Sequence, residues 1–480
     1  MIRNLLSFYL VPRYAMVVTY MLQNTEYQAK PYLAWYWRTQ DFSKVLYRRD
    51  LHDTKAARLL RYALILGMTL QIILGLVLIA LWKWRGLTAG DYFGAAILLS
   101  YPIVWAHFVV IPLSLGRLFI VLPHEKRLIE QSSQLFAKHP GIKIAIAGSY
   151  GKTSMKELLL TVLSEGKKVA ATPANKNVAS SHAQFVSQLA GDEDVLILEY
   201  GEGKPGDVRR FAQTTQPTHG VITGLAPAHL DQYKSLSAAG EDIFALAEYL
   251  DGKQVYVNGD SSETTAFFKE TYHIYNTEGC LGWKTKNIQL TTTSTSFELH
   301  NGRRKMLLCS GLIGKHQVGP LSVAAVLGLE IGLNEEQVVA GVAKTVPFEH
   351  RMQPYTLNGA WVIDDTYNGN IEGVRAGTAL LKSLDAVRKL YVTPGLVDQG
   401  NETKNIHEQM GVLIAAAKPD IVVLMKNSVT PYIEKGLKQG LFGGELRIET
   451  DPLGYYRNLD QHIATGDLVL MQNDWPDNYK

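Results

Sequence analysis

The sequence has 480 residues, enough for about two to four domains, and its formal net charge is +3. A charge so near balance, without a run of lysine and arginine, excludes a polyanion groove, and we expect no nucleic acid among the partners. The two cysteines, Cys280 and Cys309, form no C-x-x-C pair and cannot make a disulfide framework, which indicates a reducing compartment.

The N-terminal quarter is strongly apolar. Residues 62–82, YALILGMTLQIILGLVLIALW, carry no charge over about the length that crosses a bilayer. A second apolar stretch, from about 92 to 115, contains Pro102 and Pro112 and is expected to be kinked or partly re-entrant. Because basic residues crowd the outer flanks of both stretches, the positive-inside rule places both ends in the cytoplasm. We predict a multi-pass protein of the cytoplasmic membrane, in contact with lipid; a buried hairpin of a soluble protein is the alternative.

From about residue 140, apolar strands alternate with helical patterns, which predicts an α/β fold with a parallel sheet. Strands are expected at IKIAIAG, VLILEYG, GVITGL and QVYVNGD, and helices at SMKELLLTVLSEG and GPLSVAAVLGLEIGL. A second α/β series begins near Ala360, with strands at AWVIDD, KLYVTPG, DIVVLMKNS and DLVLMQND. The segment TVPFEHRMQ is the expected hinge between the two series.

The segment IAIAGSYGKTS, residues 144–154, predicts a strand, a glycine turn and a helix. Glycines let backbone N–H groups approach a phosphate, and the helix offers the positive end of its dipole. Lys152 can neutralise β- and γ-phosphate charge, and the Thr153 hydroxyl can ligate Mg²⁺. The common pattern G-x-x-x-x-G-K-[ST] requires glycine at position 146, where this chain has Ile146. A glycine turn without a ligand is the alternative.

Two further metal-competent side chains follow strand ends. Glu199 ends the strand in LEYGEG, and His229 follows the next strand, in LAPAHLDQY. In open α/β sheets the ligand crevice lies outside the carboxyl ends of the strands. Together with Thr153, these residues predict a metal site beside the phosphate loop.

The order of GSYGKTS, TPANKN, LEYGEG, LAPAHLDQY, VNGD, GKHQ, HRMQ and DDTYNGN resembles the Mur ligase family, and most closely its MurF type. The resemblance runs from about residue 141 to the C-terminus. It implies a central ATP-binding domain at 126–347 and a Rossmann-like C-terminal domain at 348–480. The apolar composition, not the resemblance, predicts a membrane-associated region at 1–125 with about two transmembrane helices. The catalytic domains are expected in the cytoplasm.

The resemblance also implies roles for individual residues. Lys152, His229 and Arg351 would be catalytic, and Thr153, Glu199 and His229 would be the metal ligands. Asn175 and Asn177 would lie near the acceptor substrate. The ATP site would be formed by Gly148, Ser149, Gly151, Lys152, Thr153, Ser154, Asn258, His316, Arg351 and Asp365.

The activity that the resemblance implies is ATP-dependent amide-bond formation. A carboxylate oxygen attacks the γ-phosphate to give an acyl phosphate, and an amine then expels phosphate. The expected cofactors are ATP and Mg²⁺. The expected substrates are a carboxylate-bearing cell-wall precursor, UDP-linked or lipid-linked, and an amino acid or dipeptide, in peptidoglycan precursor synthesis.

The sequence departs from the family pattern at several positions. The lysine that family members carbamylate after the HLD segment has Ile243 as its ungapped counterpart, so Glu241 or Asp242 is expected to supply the carboxylate, unless both are exposed helix acids. The family's H-N-x-x-N is replaced by a run that begins at His316 and Gln317, and Ile371 stands where proline is customary.

Apolar segments stand where MurF-type enzymes carry a soluble UDP-binding domain. This difference leaves two alternatives to a MurF-like ligase. One is a membrane-anchored ligase of a surface polymer such as poly-γ-glutamate, and the other is a catalytically degenerate scaffold that binds nucleotide.

Overall fold

The computed structural model describes residues 11–473 except 26, 40, 41, 43, 44, 46–50, 86–88, 174–177, 227–232, 234, 368 and 398. The chain divides into two compact units, Met1–Arg127 and Leu128–Lys480.

The N-terminal unit is helical, as its continuous apolar composition predicts. Its helices are α1 (Val11–Asn24), α2 (Ala29–Arg38), α3 (Lys55–Trp84), α4 (Ala89–Phe108) and α5 (Val110–Gly116). A π-helical turn (Arg117–Val121) and α6 (Leu122–Lys138) follow. Pro102 lies inside α4, whereas the helical run breaks at Val109, so that Pro112 falls in the first turn of α5, where its missing N–H is not needed.

Helices α3 and α4 are held together by small residues and one amide. Gly75 and Gly94 face each other so closely that a Cβ on Gly75 would lie 3.0 Å from the Gly94 carbonyl oxygen. Gln71 Nε2 donates to the Ile97 carbonyl oxygen (2.9 Å) and to Ser100 Oγ (3.2 Å). Close backbone contact and a hydrogen-bonded side-chain amide are typical of helix pairs that pack in an apolar medium.

Two helical stretches of this unit are long and apolar enough to cross a membrane. Ala57–Trp84 has a mean hydropathy of 2.6 and Tyr92–Lys138 one of 1.9, and in each the most apolar window is only 22% buried. Large apolar side chains on α3 face away from the other helices, among them Leu66 at 61% exposure and Leu70 at 56%. Length and composition alone support the interpretation that these helices cross a membrane.

The second unit begins with a ten-stranded sheet. Its strands are β1 (Ile142–Ala147), β2 (Val169–Ala171), β3 (Val195–Glu199), β4 (His219–Ile222), β5 (Val255–Asn258), β6 (His273–Asn276), β7 (Gly279–Cys280), β8 (Trp283–Leu290), β9 (Thr295–Asn301) and β10 (Arg304–Ser310). They lie in the order β10-β9-β8-β7-β6-β5-β4-β1-β3-β2. Strands β1 to β6 are parallel, and β7 to β10 extend the sheet in antiparallel fashion.

Helices cover this sheet because its central strands are apolar on both faces. They are α7 (Lys152–Leu163), α8 (Ala179–Ser187), α9 (Asp207–Thr215), α10 (Leu236–Tyr249), α11 (Val318–Glu330) and α12 (Glu335–Ala343). Short 3₁₀ turns occupy Ser262–Phe267 and Lys315–Gln317. Register pairs Ile146 of β1 with Glu199 of β3, so the carboxyl end of β3 lies beside the loop that follows β1.

A six-stranded sheet forms the C-terminal part of the same unit. Its strands are β11 (Gln353–Leu357), β12 (Ala360–Asp365), β13 (Arg388–Thr393), β14 (Ile421–Met425), β15 (Glu445–Glu449) and β16 (Asp467–Gln472), in the order β11-β12-β16-β13-β14-β15. Its helices are α13 (Ile371–Ser383), α14 (Thr403–Ala417), α15 (Thr430–Gln439) and α16 (Pro452–Arg457), with 3₁₀ turns at Gly400–Glu402 and Leu459–Gln461. Only β11 is antiparallel to its neighbour.

The expected α/β fold with parallel sheets is confirmed, and all eight expected strands are present. The expected helix SMKELLLTVLSEG is present but ends at Leu163, short of Gly166. The antiparallel strands of 279–310 were not expected from the sequence. The domain boundaries at 125 and 347 stay a prediction.

Candidate active site

The loop between β1 and α7 owes its shape to two glycines. Gly148 has φ +146° and Gly151 has φ +73°, values that other residues rarely adopt. A Cβ on Gly148 would lie 2.3 Å from Thr223 Oγ1, at the end of β4. The loop therefore closes tightly against the next strand and delivers its backbone to the N-terminus of α7.

Tyr150 joins the phosphate loop to the loop that follows β4. Ser149 N–H donates to the Gly224 carbonyl oxygen (2.9 Å), and a Cβ on Gly224 would lie 2.3 Å from the Tyr150 ring. Burial raises the pKa of Tyr150 to about 12. These contacts hold the phosphate loop against the loop that follows β4.

Lys152 points back into its own loop. Its Nζ donates to the Gly148 carbonyl oxygen (2.6 Å) and lies 2.6 Å from Glu202 Oε2. The side chains of Lys152 and Glu202 are 11% and 6% exposed. The Lys152 ammonium, which is predicted to bind phosphate, is therefore paired with the Glu202 carboxylate.

Thr153 and Glu199 meet at the same edge of the sheet. Thr153 Oγ1 donates to Glu199 Oε1 (3.0 Å), which leaves the hydroxyl's lone pairs available to a ligand. Glu199 is 3% exposed, and its Oε2 has no hydrogen-bond partner among the described residues. An orphaned buried carboxylate oxygen beside a hydroxyl is the donor set that a hard cation such as Mg²⁺ prefers, so these residues fit the expected metal.

A second lysine lies one helical turn beyond Lys152. Lys156 is fully buried, and its Nζ lies 3.3 Å from Glu199 Oε2 and 3.3 Å from Glu157 Oε1. Neither approach has hydrogen-bond geometry, since both Nζ and Oε2 lack a hydrogen-bond partner within the described part of the chain. Lys156 therefore acts on Glu199 as a nearby charge that balances its carboxylate.

His182 of α8 supports Glu199 from the opposite side. Its Nε2 donates to the Glu199 carbonyl oxygen (2.9 Å), and burial lowers the pKa of His182 to about 4. The imidazole is therefore neutral at physiological pH and holds the end of β3 in place. Thr172 Oγ1 accepts from Glu199 N–H (3.1 Å), so the main chain of Glu199 is fixed on both sides.

A cavity of about 470 Å³ begins at Gly151 and Ser154 and extends to the C-terminal sheet. Such a volume is typical of small-molecule and cofactor sites. Its wall includes Tyr150, Gly151, Ser154, Thr223, Asn258, Lys315, His316, Arg351, Asp365, Tyr367 and Arg375. Six of the ten residues expected to form the ATP site thus line one cavity: Gly151, Ser154, Asn258, His316, Arg351 and Asp365.

Asn258 and His316 lie on the wall formed by the ten-stranded sheet and its helices. Asn258 Nδ2 donates to the Thr223 carbonyl oxygen (2.8 Å), which ties β5 to the end of β4. Gln317 Nε2 donates to His316 Nε2 (2.9 Å), and burial lowers the pKa of His316 to about 4. Both side chains are uncharged hydrogen-bonding groups, as a heterocyclic base requires.

Arg351 and Asp365 form the opposite wall. The Arg351 guanidinium lies over the Tyr367 ring, 4.8 Å from its centroid. Asp365 accepts from Met352 N–H (3.2 Å) and from Gln472 Nε2 (2.7 Å), and burial raises its pKa to about 6. The structure therefore brings both predicted C-terminal residues to the cavity.

Glu241 and Asp242 differ in their surroundings. Glu241 is exposed on α10 and accepts only from Ser237 of the same helix (3.3 Å). Asp242 is buried, and it accepts from Gly206 N–H (2.7 Å) and from the Tyr233 hydroxyl (2.7 Å). Burial is the largest influence on the Asp242 carboxyl, and it raises the pKa of that group. Asp242 supports the loop that carries Glu202, and its metal-binding role stays a prediction.

Three predicted site residues, Asn175, Asn177 and His229, lie outside the described residues. Among the residues that are described, no group of three or more histidine, cysteine, aspartate or glutamate side chains could hold a metal ion. The predicted metal set therefore has two members in place, Thr153 and Glu199.

Sequence reasoning missed Glu202, Lys156 and His182. Glu202 stands in the same LEYGEG segment as Glu199, and Lys156 follows Lys152 at the i+4 spacing that shares a helix face. These two spacings were usable signals. No sequence pattern pointed to His182, because its contact with Glu199 depends on how α8 packs against β3.

Comparison with known proteins identifies the central part of the chain. Residues 146–328 match the family model described as the Mur ligase middle domain. The UDP-N-acetylmuramoyl-tripeptide–D-alanyl-D-alanine ligase of Mycobacterium leprae is 28% identical over 365 residues, which cover 68% of this chain and 70% of that relative. The enzyme of the same name from Escherichia coli is 26% identical over 59% of this chain, and the match spans 64% of its own length.

Solved structures share the fold. MurF from Acinetobacter baumannii superimposes with a TM-score of 0.64 at 19% identity, covering 73% of this chain and 77% of that one. MurF from Thermotoga maritima in complex with ADP has a TM-score of 0.63 at 19% identity, covering 73% and 80%. The chain therefore contains a Mur ligase middle domain, and over most of its length it is similar to MurF enzymes in sequence and in fold.

Proposed function

We propose that the chain is an ATP-dependent ligase that joins the carboxylate of a peptidoglycan precursor peptide to an amine through an acyl phosphate. The observation that carries the proposal is the geometry at the β1–α7 loop: Lys152 in the glycine cradle, with Thr153 and Glu199 meeting beside it. A cavity of about 470 Å³ leads from this loop to Arg351 and Asp365. These groups match the needs of a nucleoside triphosphate.

The chemistry follows from the leaving group. An amine cannot displace oxide from a carboxylate, so the carboxylate oxygen first attacks the γ-phosphorus, and the bond from that phosphorus to the β–γ bridging oxygen breaks to release ADP. The amine nitrogen then attacks the acyl carbon, phosphate leaves, and the nitrogen loses a proton. Lys152 and Arg351 stabilise the charge on the transferring phosphoryl group.

Thr153 and Glu199 would hold Mg²⁺, with His229 as the further ligand that the family resemblance implies. The metal would neutralise phosphate charge and polarise the γ-phosphoryl group. Asp365 would accept a hydrogen bond from a ribose hydroxyl. Asn258 and His316 would contact the base.

The relatives' names indicate the substrates. We infer that the acid is a UDP-N-acetylmuramoyl-tripeptide and that the amine is D-alanyl-D-alanine. The relatives reported above give no support to a surface-polymer ligase or to a scaffold. A lipid-linked form of the same tripeptide remains a second arm of the experiment, because apolar helices precede the catalytic unit.

The test uses the full chain purified in detergent with ATP, MgCl₂ and D-alanyl-D-alanine. UDP-N-acetylmuramoyl-tripeptide is supplied in one reaction and a lipid-linked tripeptide in another, and mass spectrometry follows the condensed product and ADP. We expect product from the UDP-linked acid. Product in the lipid-linked reaction alone would change the assigned substrate, and product in neither would refute the function.

We also propose that α3 and α4 anchor the chain in the cytoplasmic membrane, with the catalytic unit in the cytoplasm. The support is their length, their hydropathy and the exposed leucines on α3. The chain should stay in the membrane fraction after alkaline carbonate extraction. Its release into the supernatant would contradict the proposal.

A further inference from the structure

The ion pair between Lys152 and Glu202 has no place in the reaction described above. Its two charged atoms lie 2.6 Å apart, and both side chains are nearly excluded from solvent. A close pair at such a site interacts more strongly than an exposed one. The ammonium expected to bind phosphate is therefore neutralised by a carboxylate of the protein itself.

Glu202 is held in position by its loop. It lies three residues after Glu199, whose main chain is fixed by His182 and Thr172. Further along the loop, Gly206 N–H donates to Asp242 (2.7 Å). The backbone is therefore held on both sides of Glu202, which is itself buried and is not a surface acid.

Phosphate and Glu202 compete for one ammonium. When a triphosphate contacts Lys152, Glu202 loses the charged partner that the structure shows for it and stays next to added negative charge. A nearly buried carboxylate left without a counter-charge is costly. Thr153 follows Lys152 directly and Glu199 stands three residues before Glu202, so a divalent cation held by Thr153 and Glu199 would add positive charge that offsets Glu202.

We propose that Glu202 is a switch partner of Lys152: it binds the ammonium when phosphate is absent and makes nucleotide binding dependent on a divalent cation. This inference rests on the proposed function, because it requires Lys152 to bind nucleotide phosphate. The protein should therefore bind the metal–nucleotide complex in preference to free nucleotide. Free nucleotide must break the Lys152–Glu202 ion pair without a cation that offsets the charge of Glu202.

The test is isothermal titration calorimetry of ADP with the full chain in detergent, with MgCl₂ or with EDTA. Glu202→Gln removes the charge and keeps the side-chain shape. We expect Glu202→Gln to bind metal-free ADP about tenfold more tightly than the unchanged chain, and to gain less from Mg²⁺. Glu202→Asp, which keeps the charge on a shorter side chain, should fall between the two.

The matched control is Glu248→Gln. Glu248 pairs with Arg209, but both side chains are more than half exposed, so its loss should leave both affinities unchanged. Circular dichroism verifies that each variant is folded, and Glu202→Asp carries the test should Glu202→Gln fail to fold.

Equal affinities of Glu202→Gln and the unchanged chain under both conditions would overturn the switch, as would weaker metal-free binding by Glu202→Gln. In either case the unchanged chain still binds ADP with Mg²⁺, and the proposed function stands. Absence of ADP binding by the unchanged chain with Mg²⁺ would instead refute both.

Discussion

The two walls of the cavity handle charge differently. At the phosphate loop, Lys152 and Lys156 are buried against carboxylates. On the C-terminal wall, Arg351 lies over an aromatic ring and Asp365 accepts from two uncharged donors. The lysines of the phosphate loop are thus paired with carboxylates of the protein, whereas Arg351 has an aromatic face against it, and its charge acts on Asp365 only by lowering the pKa of that carboxyl. The difference indicates that Arg351, which forms no ion pair among the described residues, has more of its charge available to a ligand than the lysines of the phosphate loop.

The largest effect is expected for Lys152→Ala, which removes the ammonium from the phosphate loop. Amide formation should fall by about 10³-fold, because a preorganised charge on the transferring phosphoryl group is lost. Product formation measured by mass spectrometry checks this. Unchanged turnover would refute the role assigned to Lys152 and to the phosphate loop that carries it.

Lys156→Met should affect stability more than chemistry. It leaves Glu199 buried without its nearby cation, which should lower the free energy of unfolding by about 3 kcal/mol. Thermal unfolding with and without Mg²⁺ and ADP measures the loss and its partial recovery. Lys344→Met is the matched control, since Lys344 is 63% exposed in its pair with Glu165 and should cost less than about 1 kcal/mol. Equal losses for both variants would show that Lys156 does not act through Glu199.

Arg351→Ala tests the opposite wall. We expect kcat to fall by about 10²-fold, with little change in ADP affinity, because the guanidinium has its main effect on the transferring phosphoryl group. Steady-state kinetics and calorimetry separate the two quantities. A loss of ADP affinity as large as the loss of kcat would mean that Arg351 acts already on bound ADP. The contrast between Arg351 and the lysines of the phosphate loop would then be wrong.

Asp242→Asn and Glu241→Gln compare two neighbours on α10. Asp242→Asn disturbs the contacts to Gly206 and Tyr233 and should cost about 1–2 kcal/mol of stability. Glu241→Gln changes an exposed side chain and should stay within about 0.5 kcal/mol. Denaturant unfolding measures both. The opposite order would contradict the packing described for α10.

A further expected effect concerns Asp365 and pH. Its pKa is raised by burial from 3.8 to about 6, so the folded chain binds the proton more tightly than the unfolded chain. The stabilisation from this group is therefore present below the unfolded pKa and is lost as pH rises through about 6. The difference in unfolding free energy between the unchanged chain and Asp365→Asn should follow that sign. A difference that does not vary with pH would exclude the shift.

Local patterns made the phosphate-loop wall predictable. The strand IKIAIAG, the glycines and the helix that begins at Lys152 follow from period, turn chemistry and helix-start rules acting within about twenty residues. Strands β8 and β9 were missed because polar residues interrupt them: Lys284 and Lys286 are exposed on β8, and Ser296, Glu298 and His300 alternate with buried residues on β9. Phe297 and Leu299 nevertheless keep the period-two alternation of a half-buried strand.

Contacts between distant segments explain what could not be predicted. The placement of Arg351 and Asp365 on the cavity came from the family resemblance, since nothing local brings them to the phosphate loop. The pairing of Lys152 with Glu202 needs the backbone path of residues 200–206, and the burial of Lys156 needs the packing of α7 on the sheet. The sequence supplies these residues, but only the folded chain decides which of them meet.

The contact between Tyr150 and Gly224 has an evolutionary consequence. A side chain at position 224 would meet the Tyr150 ring 2.3 Å from its β-carbon, and it would also be strained at the φ of +152° that Gly224 adopts. A smaller residue at position 150 would therefore relieve the clash but not the backbone strain. Descendants of this chain should therefore keep glycine at position 224, even in lineages where position 150 becomes smaller.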